Sequence, residues 1–265
     1  MKKIRLDELM VERRLAETLA GAKAAIMSGS VFAGGRRAEK PGMQVDTEMD
    51  IKVRGKKEFV SRGGIKLRKA LDFFSVSPEG KVCIDCGAST GGFTDCLLKY
   101  GARLVYAVDV GYGQLAWSIR NDPRVITMER TNIRYVTADI LGSKPELAVI
   151  DVSFISLALV LPVVRGLLTE GGGAMCLIKP QFEADRGKVG EKGVIYDQGT
   201  HATVLEAFIY NAGSSEFCVK GITYSPVKGP EGNIEYFGWL RCGGKSDTIN
   251  VNAIVSESHR VLKER

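Results

Sequence analysis

Four short apolar runs in the middle of the chain each finish on a charged residue: Val82 to Asp85, Leu104 to Asp109, Leu147 to Asp151 and Ala174 to Lys179. Runs this short, bounded by glycine and polar residues, predict buried strands. Further strands are predicted at Val125 to Met128, Cys218 to Thr223 and Ile234 to Leu240. Helical spacing falls between them, at Leu67 to Phe74, Phe93 to Tyr100, Gln114 to Asn121, Ile155 to Thr169 and His201 to Ala212, with a last helix within Asn250 to Arg265. Such an alternation predicts a doubly wound α/β domain on a parallel sheet. In open sheets of this kind ligands bind beyond the carboxyl ends of the strands, so Asp85, Asp109, Asp151 and Lys179 are expected to share one rim.

The loop after the first of these strands, Asp85 to Asp95, reads D-C-G-A-S-T-G-G-F-T-D. Its glycines allow a tight turn and close approach of backbone to a ligand. A dinucleotide site would want G-x-G-x-x-G here, to seat a pyrophosphate on the helix N-terminus. The spacing present, D-x-G-x-x-x-G-G, resembles motif I of class I S-adenosylmethionine (SAM)-dependent methyltransferases. That resemblance implies cofactor contacts from Asp85, Gly87, Ala88, Ser89, Thr90 and Gly91. Asp109 stands at the next strand tip, where an acid would take both ribose hydroxyls, in a nicotinamide enzyme as well as in a methyltransferase. Asn132, beyond the third strand, reads either as a group facing the adenine or as a turn residue.

The lysine that ends A-M-C-L-I-K-P needs an explanation. Desolvation at a strand tip disfavours an ammonium, which makes Lys179 a candidate base, and Pro180, lacking an N–H, stops the ladder there. Further on, G-N-I-E-Y-F-G-W-L puts Glu235, Phe237 and Trp239 on one strand face and Tyr236, Gly238 and Leu240 on the other. Both faces are apolar, so Glu235 is a carboxylate that requires a partner. S-R-G-G-I-K-L-R-K offers Lys66, with Arg62, Arg68 and Lys69 as neighbours that composition does not separate from it.

The front of the chain has a different character. Net charge is +6 overall, and +5 of it lies in the first 57 residues. A basic surplus of this kind favours phosphate-rich partners. Two short helices are expected, at Leu6 to Arg14 and Ala16 to Met27, followed by turns and short strands. Arg5 to Ile51 resembles the S4 RNA-binding domain through Arg5-Leu6-Asp7, through Ile26, Gly29 and Val31, and through Lys40-Pro41-Gly42. It departs from that pattern at Thr18-Leu19, where the family usually has Ser-Arg, and at Gly34-Gly35, where Asn-Gly is usual. Arg5, Lys23, Arg36, Arg37 and Lys40 are the candidates for RNA contact, because Arg and Lys position a protein on phosphates without reading sequence. The expected domains are 1–58, S4-like, and 65–265, methyltransferase, joined by a basic, glycine-punctuated connector drawn within Lys52 to Gly64 and set at 59–64.

Together S-R-G-G-I-K-L, the glycine loop, V-I-D-V-S-F-I-S-L, L-I-K-P-Q-F-E and K-G-P-E-G-N-I-E-Y-F resemble the TlyA family of rRNA 2'-O-methyltransferases, an S4-like α+β domain before a seven-stranded FtsJ-like domain. The resemblance implies a catalytic tetrad of Lys66, Asp151, Lys179 and Glu235. It implies SAM as methyl donor and, as substrate, cytidine in ribosomal RNA within ribosomal subunits. Displacement at the sulfonium methyl by a ribose 2'-hydroxyl needs a base or an alkoxide-stabilising cation beside a weak nucleophile. The rivals are a nicotinamide oxidoreductase, which would want G-x-G-x-x-G, and a non-catalytic rRNA-binding or ribosome-assembly factor, which would not need the tetrad. A pore-forming toxin is a third, at odds with a best apolar run, Phe154 to Val164, about half as long as a membrane span requires.

No metal is expected, since His201 and His259 are two histidines far apart in sequence and the C-x-x-C pair Cys83 and Cys86 has neither a second pair nor a nearby histidine. Six scattered cysteines and the absence of a signal peptide predict a cytoplasmic protein.

Overall fold

A computed structural model describes residues 3–53 and 58–263. The chain divides into two compact units, Met1–Glu58 and Phe59–Arg265. The first comprises β1 (Lys3–Arg5), α1 (Leu6–Glu12), α2 (Leu19–Met27), β2 (Val31–Ala33), β3 (Arg36–Arg37), β4 (Gln44–Asp46) and β5 (Ile51–Val53). β1 pairs with β4, and β2 lies between β3 and β5. Strand β1, ahead of the first helix, is an element that periodicity did not reveal.

The signature residues of this unit bind one another. Arg5 forks onto Asp7 through Nη2–Oδ2 at 2.7 Å and Nε–Oδ1 at 3.0 Å. The Asp7 carboxyl, fully buried, is held below the usual carboxylate range first by that hydrogen bond. Leu6 N–H donates to Met43 O and Asp7 N–H to Pro41 O, so the R-L-D start is stitched to the K-P-G turn. Thr18 caps α2 by accepting from Gly21 N–H. Gly34 and Gly35, both at positive φ, make the two-residue turn between β2 and β3 that a primed hairpin requires.

The second unit contains α3 (Arg62–Phe74), β6 (Val82–Cys86), α4 (Gly92–Lys99), β7 (Leu104–Val108), α5 (Trp117–Arg120), β8 (Val125–Met128), β9 (Leu147–Ile150), α6 (Leu161–Leu167), β10 (Gly173–Ile178), α7 (Pro180–Glu183), α8 (Gln198–Ser214), β11 (Phe217–Tyr224), β12 (Tyr236–Cys242) and α9 (Val251–Lys263). Its seven strands run in the order β11-β12-β10-β9-β6-β7-β8. All neighbours are parallel except β12, which is antiparallel to both β10 and β11.

Several expectations are corrected. The helix expected over Ile155 to Thr169 splits into a 3-10 turn, Leu157–Leu159, and α6. Pro162 lacks the N–H to continue a helix through that point but suits a helix start. Pro180 likewise opens α7 where the strand stops. The helix expected at Gln114 to Asn121 is confined to Trp117–Arg120. The connector expected at 59–64 is in part helix: Ser61 caps α3 by accepting from Gly63 N–H, and Arg62 to Gly64 form its first turn. Residues 54–57 of the proposed connector lie outside the described residues.

Strand alternation divides the core into two layers. Val82, Ile84 and Cys86 face α6, α8 and α9, while Cys83 faces α3 and α4 with Val149, Met175, Leu177 and Phe237. Cys83 and Cys86 therefore lie on opposite faces of one strand. Among the described residues no His, Cys, Asp and Glu group could hold a metal ion, and no helix is long and apolar enough to cross a membrane. The two histidines, far apart in sequence, have ring centroids 4.8 Å apart. His201 Nδ1 bonds Tyr236 OH at 2.8 Å, which meets Ser258 Oγ at 3.0 Å, so α8, β12 and α9 are joined under the sheet.

Burial pushes His259 down to about 4, with His201, Lys263 and Lys228 acting in the same direction and Asp197 against it. Its folded value lies below the unfolded one of about 6.5, so the unfolded chain takes up the proton first as pH falls. The stability attached to neutral His259 is complete above about pH 6.5 and is lost toward pH 4. The difference in Tm between wild type and His259→Leu should therefore shift against wild type between pH 7 and pH 4, as calorimetry at a series of pH values would read. A difference independent of pH would contradict it.

Candidate active site

Three neighbouring strands deliver the polar rim. β9 ends at Ile150, so Asp151 is the first residue beyond it, and β10 ends at Ile178, followed by Lys179. β12 runs the other way with Tyr236 opposite Ile178, so Glu235 enters the rim where Lys179 leaves it. Parity does the rest. Asp151 continues the alternation of Val149, Lys179 that of Leu177 and Glu235 that of Phe237, which is the face covered by α3. Lys66 comes from that helix.

The four charges form two ion pairs. Lys66 Nζ lies 2.5 Å from Glu235 Oε2, with side chains 8% and 1% exposed, and Lys179 Nζ lies 2.6 Å from Asp151 Oδ1. Lys179 also donates to Ser153 Oγ at 2.9 Å. Burial pushes the Glu235 carboxyl above the usual range, and Lys66 opposes this as the larger of two cationic influences, ahead of Lys179. A pair buried to this degree persists because each charge compensates the other, and removing one partner strands the other.

Beside the tetrad lies a cleft of about 730 Å³ lined by Gly87, Ser89, Asp109, Asn132, Asp151 and the segment after it, and a recess of about 200 Å³ lined by Ser61, Arg62, Lys66, Gly87 to Thr90 and Pro230. Asp109 accepts from Ser89 N–H at 2.7 Å and Gly111 N–H at 2.6 Å, which aims its carboxylate at the loop and leaves a lone pair on each oxygen. Asn132 caps the 3-10 turn Ile133–Tyr135 by accepting from Arg134 N–H, as the turn reading expects, and it also lines the cleft.

Two of the residues expected at the cofactor do not line either cavity. Asp85 falls inside β6, on the α3 and α4 face, fully buried, where Thr94 Oγ1 donates to it at 2.7 Å. Burial pushes its carboxyl up to about 7, with Asp151 and Asp109 adding to the rise and Thr94 opposing it. The strand runs one residue past Asp85, so its carboxylate, on the same face as Cys83, stays within the sheet instead of standing at the tip. Gly91, at φ +90, abuts Leu115 and Ile119 and backs the loop. Sequence reasoning missed Ser61, Ser153 and Pro230, and named Arg62 only as a rival to Lys66. S-R-G-G carried the only signal for Ser61 and Arg62. Phe154, 90% exposed at φ +64, stands at the mouth of the cleft with its ring 4.9 Å from Phe182. In the first unit Lys23, Arg36, Arg37 and Lys40 are exposed, whereas Arg5 is committed to Asp7.

A seven-stranded sheet with one reversed strand near its edge, and a glycine loop at its centre opening on an acid-tipped neighbour, defines a Rossmann-like methyltransferase domain. The FtsJ-like methyltransferase family model matches residues 59–242 and the S4 domain model residues 4–51, and the chain belongs to the FtsJ-like methyltransferases, in the TlyA group that carries an S4 domain in front. It is 50% identical to Bacillus subtilis YqxC, whose name proposes an rRNA methyltransferase, over 100% of this chain and 97% of that one. It is 41% identical to the 16S/23S rRNA (cytidine-2'-O)-methyltransferase TlyA of Mycobacterium tuberculosis, over 99% and 98%. A solved structure from Streptococcus thermophilus, titled as a hemolysin by proposal, is 43% identical with a TM-score of 0.76, over 100% and 98%.

A Cβ on Gly87, which sits at φ +89, would lie 2.4 Å from Asp151 O. Gly87→Ala should thus cost about 1–3 kcal/mol in backbone strain and displace the tip of β9. Gly213 of α8 has open space around its Cβ position, so Gly213→Ala should be neutral or stabilising by up to about 1 kcal/mol. Urea unfolding of both variants checks the contrast, and equal effects would refute it.

Proposed function

We propose that this chain is a SAM-dependent ribose 2'-O-methyltransferase acting on cytidine in ribosomal RNA, with Lys66, Asp151, Lys179 and Glu235 as its catalytic tetrad. The observation that carries the reading is the pair of ion pairs at one sheet rim, set against a glycine loop and a cleft of about 730 Å³. The donor set suits SAM: Asp109 would offer lone pairs to two ribose hydroxyls, Asn132 would offer an amide to the adenine, and Ser61 and Arg62, which line the smaller recess, would be donors to its amino-acid part. When bound, SAM supplies an electrophilic methyl group on a sulfonium. Curated relatives named as rRNA (cytidine-2'-O)-methyltransferases support the substrate class.

The work left to the protein is to hold a ribose hydroxyl and remove its proton. Lys179 takes the proton from the hydroxyl as it passes one to Asp151, 2.6 Å away, so the ammonium remains beside the developing alkoxide. Lys66 and Glu235 keep the floor of the site neutral and rigid: their charges cancel, and the pair ties α3 to β12. Lys23, Arg36, Arg37 and Lys40 supply salt-dependent backbone contacts that bring the RNA to the enzyme.

Labelled SAM incubated with separated ribosomal subunits from cells lacking the protein tests this. Wild type should transfer label to a ribose whose linkage then resists alkali, and Lys179→Ala should lose at least about 100-fold in kcat while binding SAM and RNA. Binding without transfer by wild type would instead leave a non-catalytic rRNA-binding factor.

A further inference from the structure

Glu183 ends α7, four residues beyond Lys179, and nothing in the proposed chemistry uses it. Its carboxylate is engaged twice: Ser156 Oγ donates to Oε2 at 2.6 Å and Leu157 N–H to Oε1 at 2.8 Å. Both donors belong to the segment that follows β9 and carries Asp151. Ser156 Oγ in turn accepts from Ala158 N–H at 3.2 Å, so the same bond fixes the start of the 3-10 turn.

The segment so held is unusual. Phe154 adopts φ +64, a conformation that costs a non-glycine residue of this size and persists only where the surroundings impose it. Those surroundings are α7 and the residue before it. Lys179 reaches Asp151 and Ser153, Phe182 packs on Phe154, and Glu183 grips Ser156 and Leu157. The grip therefore runs along the whole segment, with the reacting end at Lys179 and the anchoring end at Glu183. A lysine on a four-carbon stem has no stiffness of its own, and misplacement by about 1 Å can cost on the order of 100-fold in rate.

We propose that Glu183 is a positioning residue, clamping the segment after β9 to α7 and so keeping Asp151 and Lys179 aligned for methyl transfer. The proposal rests on the tetrad reading above. A glutamine can reproduce the clamp, because its Oε1 accepts from Leu157 N–H while its Nε2 donates to Ser156 Oγ. An alanine cannot.

The test compares wild type, Glu183→Ala, Glu183→Gln and Ser156→Ala as full chains. The readouts are kcat and KM for methyl transfer, SAM affinity by calorimetry, Tm, and hydrogen exchange at the Leu157 amide. Glu183→Ala should lower kcat by on the order of 10- to 100-fold and speed exchange at Leu157, with SAM affinity within about 3-fold of wild type. Glu183→Gln should recover most of the kcat, and Ser156→Ala, which loses one of the two bonds to Glu183 together with the cap on Ala158 N–H but keeps the Leu157 bond, should fall between. Unchanged kcat in Glu183→Ala would overturn the proposal, and so would a Glu183→Gln as impaired as the alanine variant. Loss of kcat matched by equal loss of SAM affinity and Tm in both Glu183→Ala and Ser156→Ala would make Glu183 merely structural, and would likewise overturn it. A wild type inactive on every RNA is a different failure: it removes the methyl-transfer reading, while exchange at Leu157 still reports on the clamp.

Discussion

Lys66 and Glu235 are 169 residues apart and meet at 2.5 Å with almost no solvent between them. Neither charge is tolerable alone at that depth, so each dictates where the other must be. The pair fastens α3 across the end of β12 and thereby closes the sheet rim on which the remaining groups stand. Phe59 and Leu67, which pack in the same layer as Phe93 and Phe237, surround that closure with apolar contact.

The rim itself follows from period-two geometry. A strand presents alternate side chains to alternate layers, so Asp151, Lys179 and Glu235 share a face because each continues the odd-numbered positions of its own strand. Reversal of β12 matters here: only an antiparallel neighbour starts where β10 ends, and so brings Glu235 to Lys179's end of the sheet. The same alternation turns Tyr236 to the other layer, where it bonds His201 and Ser258. One strand thus serves a charged rim on one side and a buried polar bridge on the other.

Much of this was legible in the chain. Apolar runs of strand length and the glycine loop located β6, β7, β9 and β10 within a residue or so, because strand burial and tight turns are local properties. A carboxylate at position 235 between apolar neighbours announced its need for a cation. Local signals misled where a single residue changed the outcome: Pro162 divided an apparently continuous helix, Pro180 began one, and one extra strand residue kept Asp85 within the sheet, bonded to Thr94, and out of the cleft. In the first unit, Arg5 read as a phosphate contact because it is basic, and no local signal showed that its planar fork also matches Asp7.

What the amino-acid order settled is therefore most strands of the large sheet, three of their four charged ends and the family to which the chain belongs, since these rest on periodicity and on short motifs. Tertiary structure decided the partnerships. Which lysine joins Glu235, that His201 and His259 pack ring against ring, and that Glu183 reaches back to Ser156 and Leu157 are all contacts between residues brought together by strand order and layer packing. No local pattern encodes them, because burial penalises a polar group according to what surrounds it, and those surroundings exist only once the chain has folded.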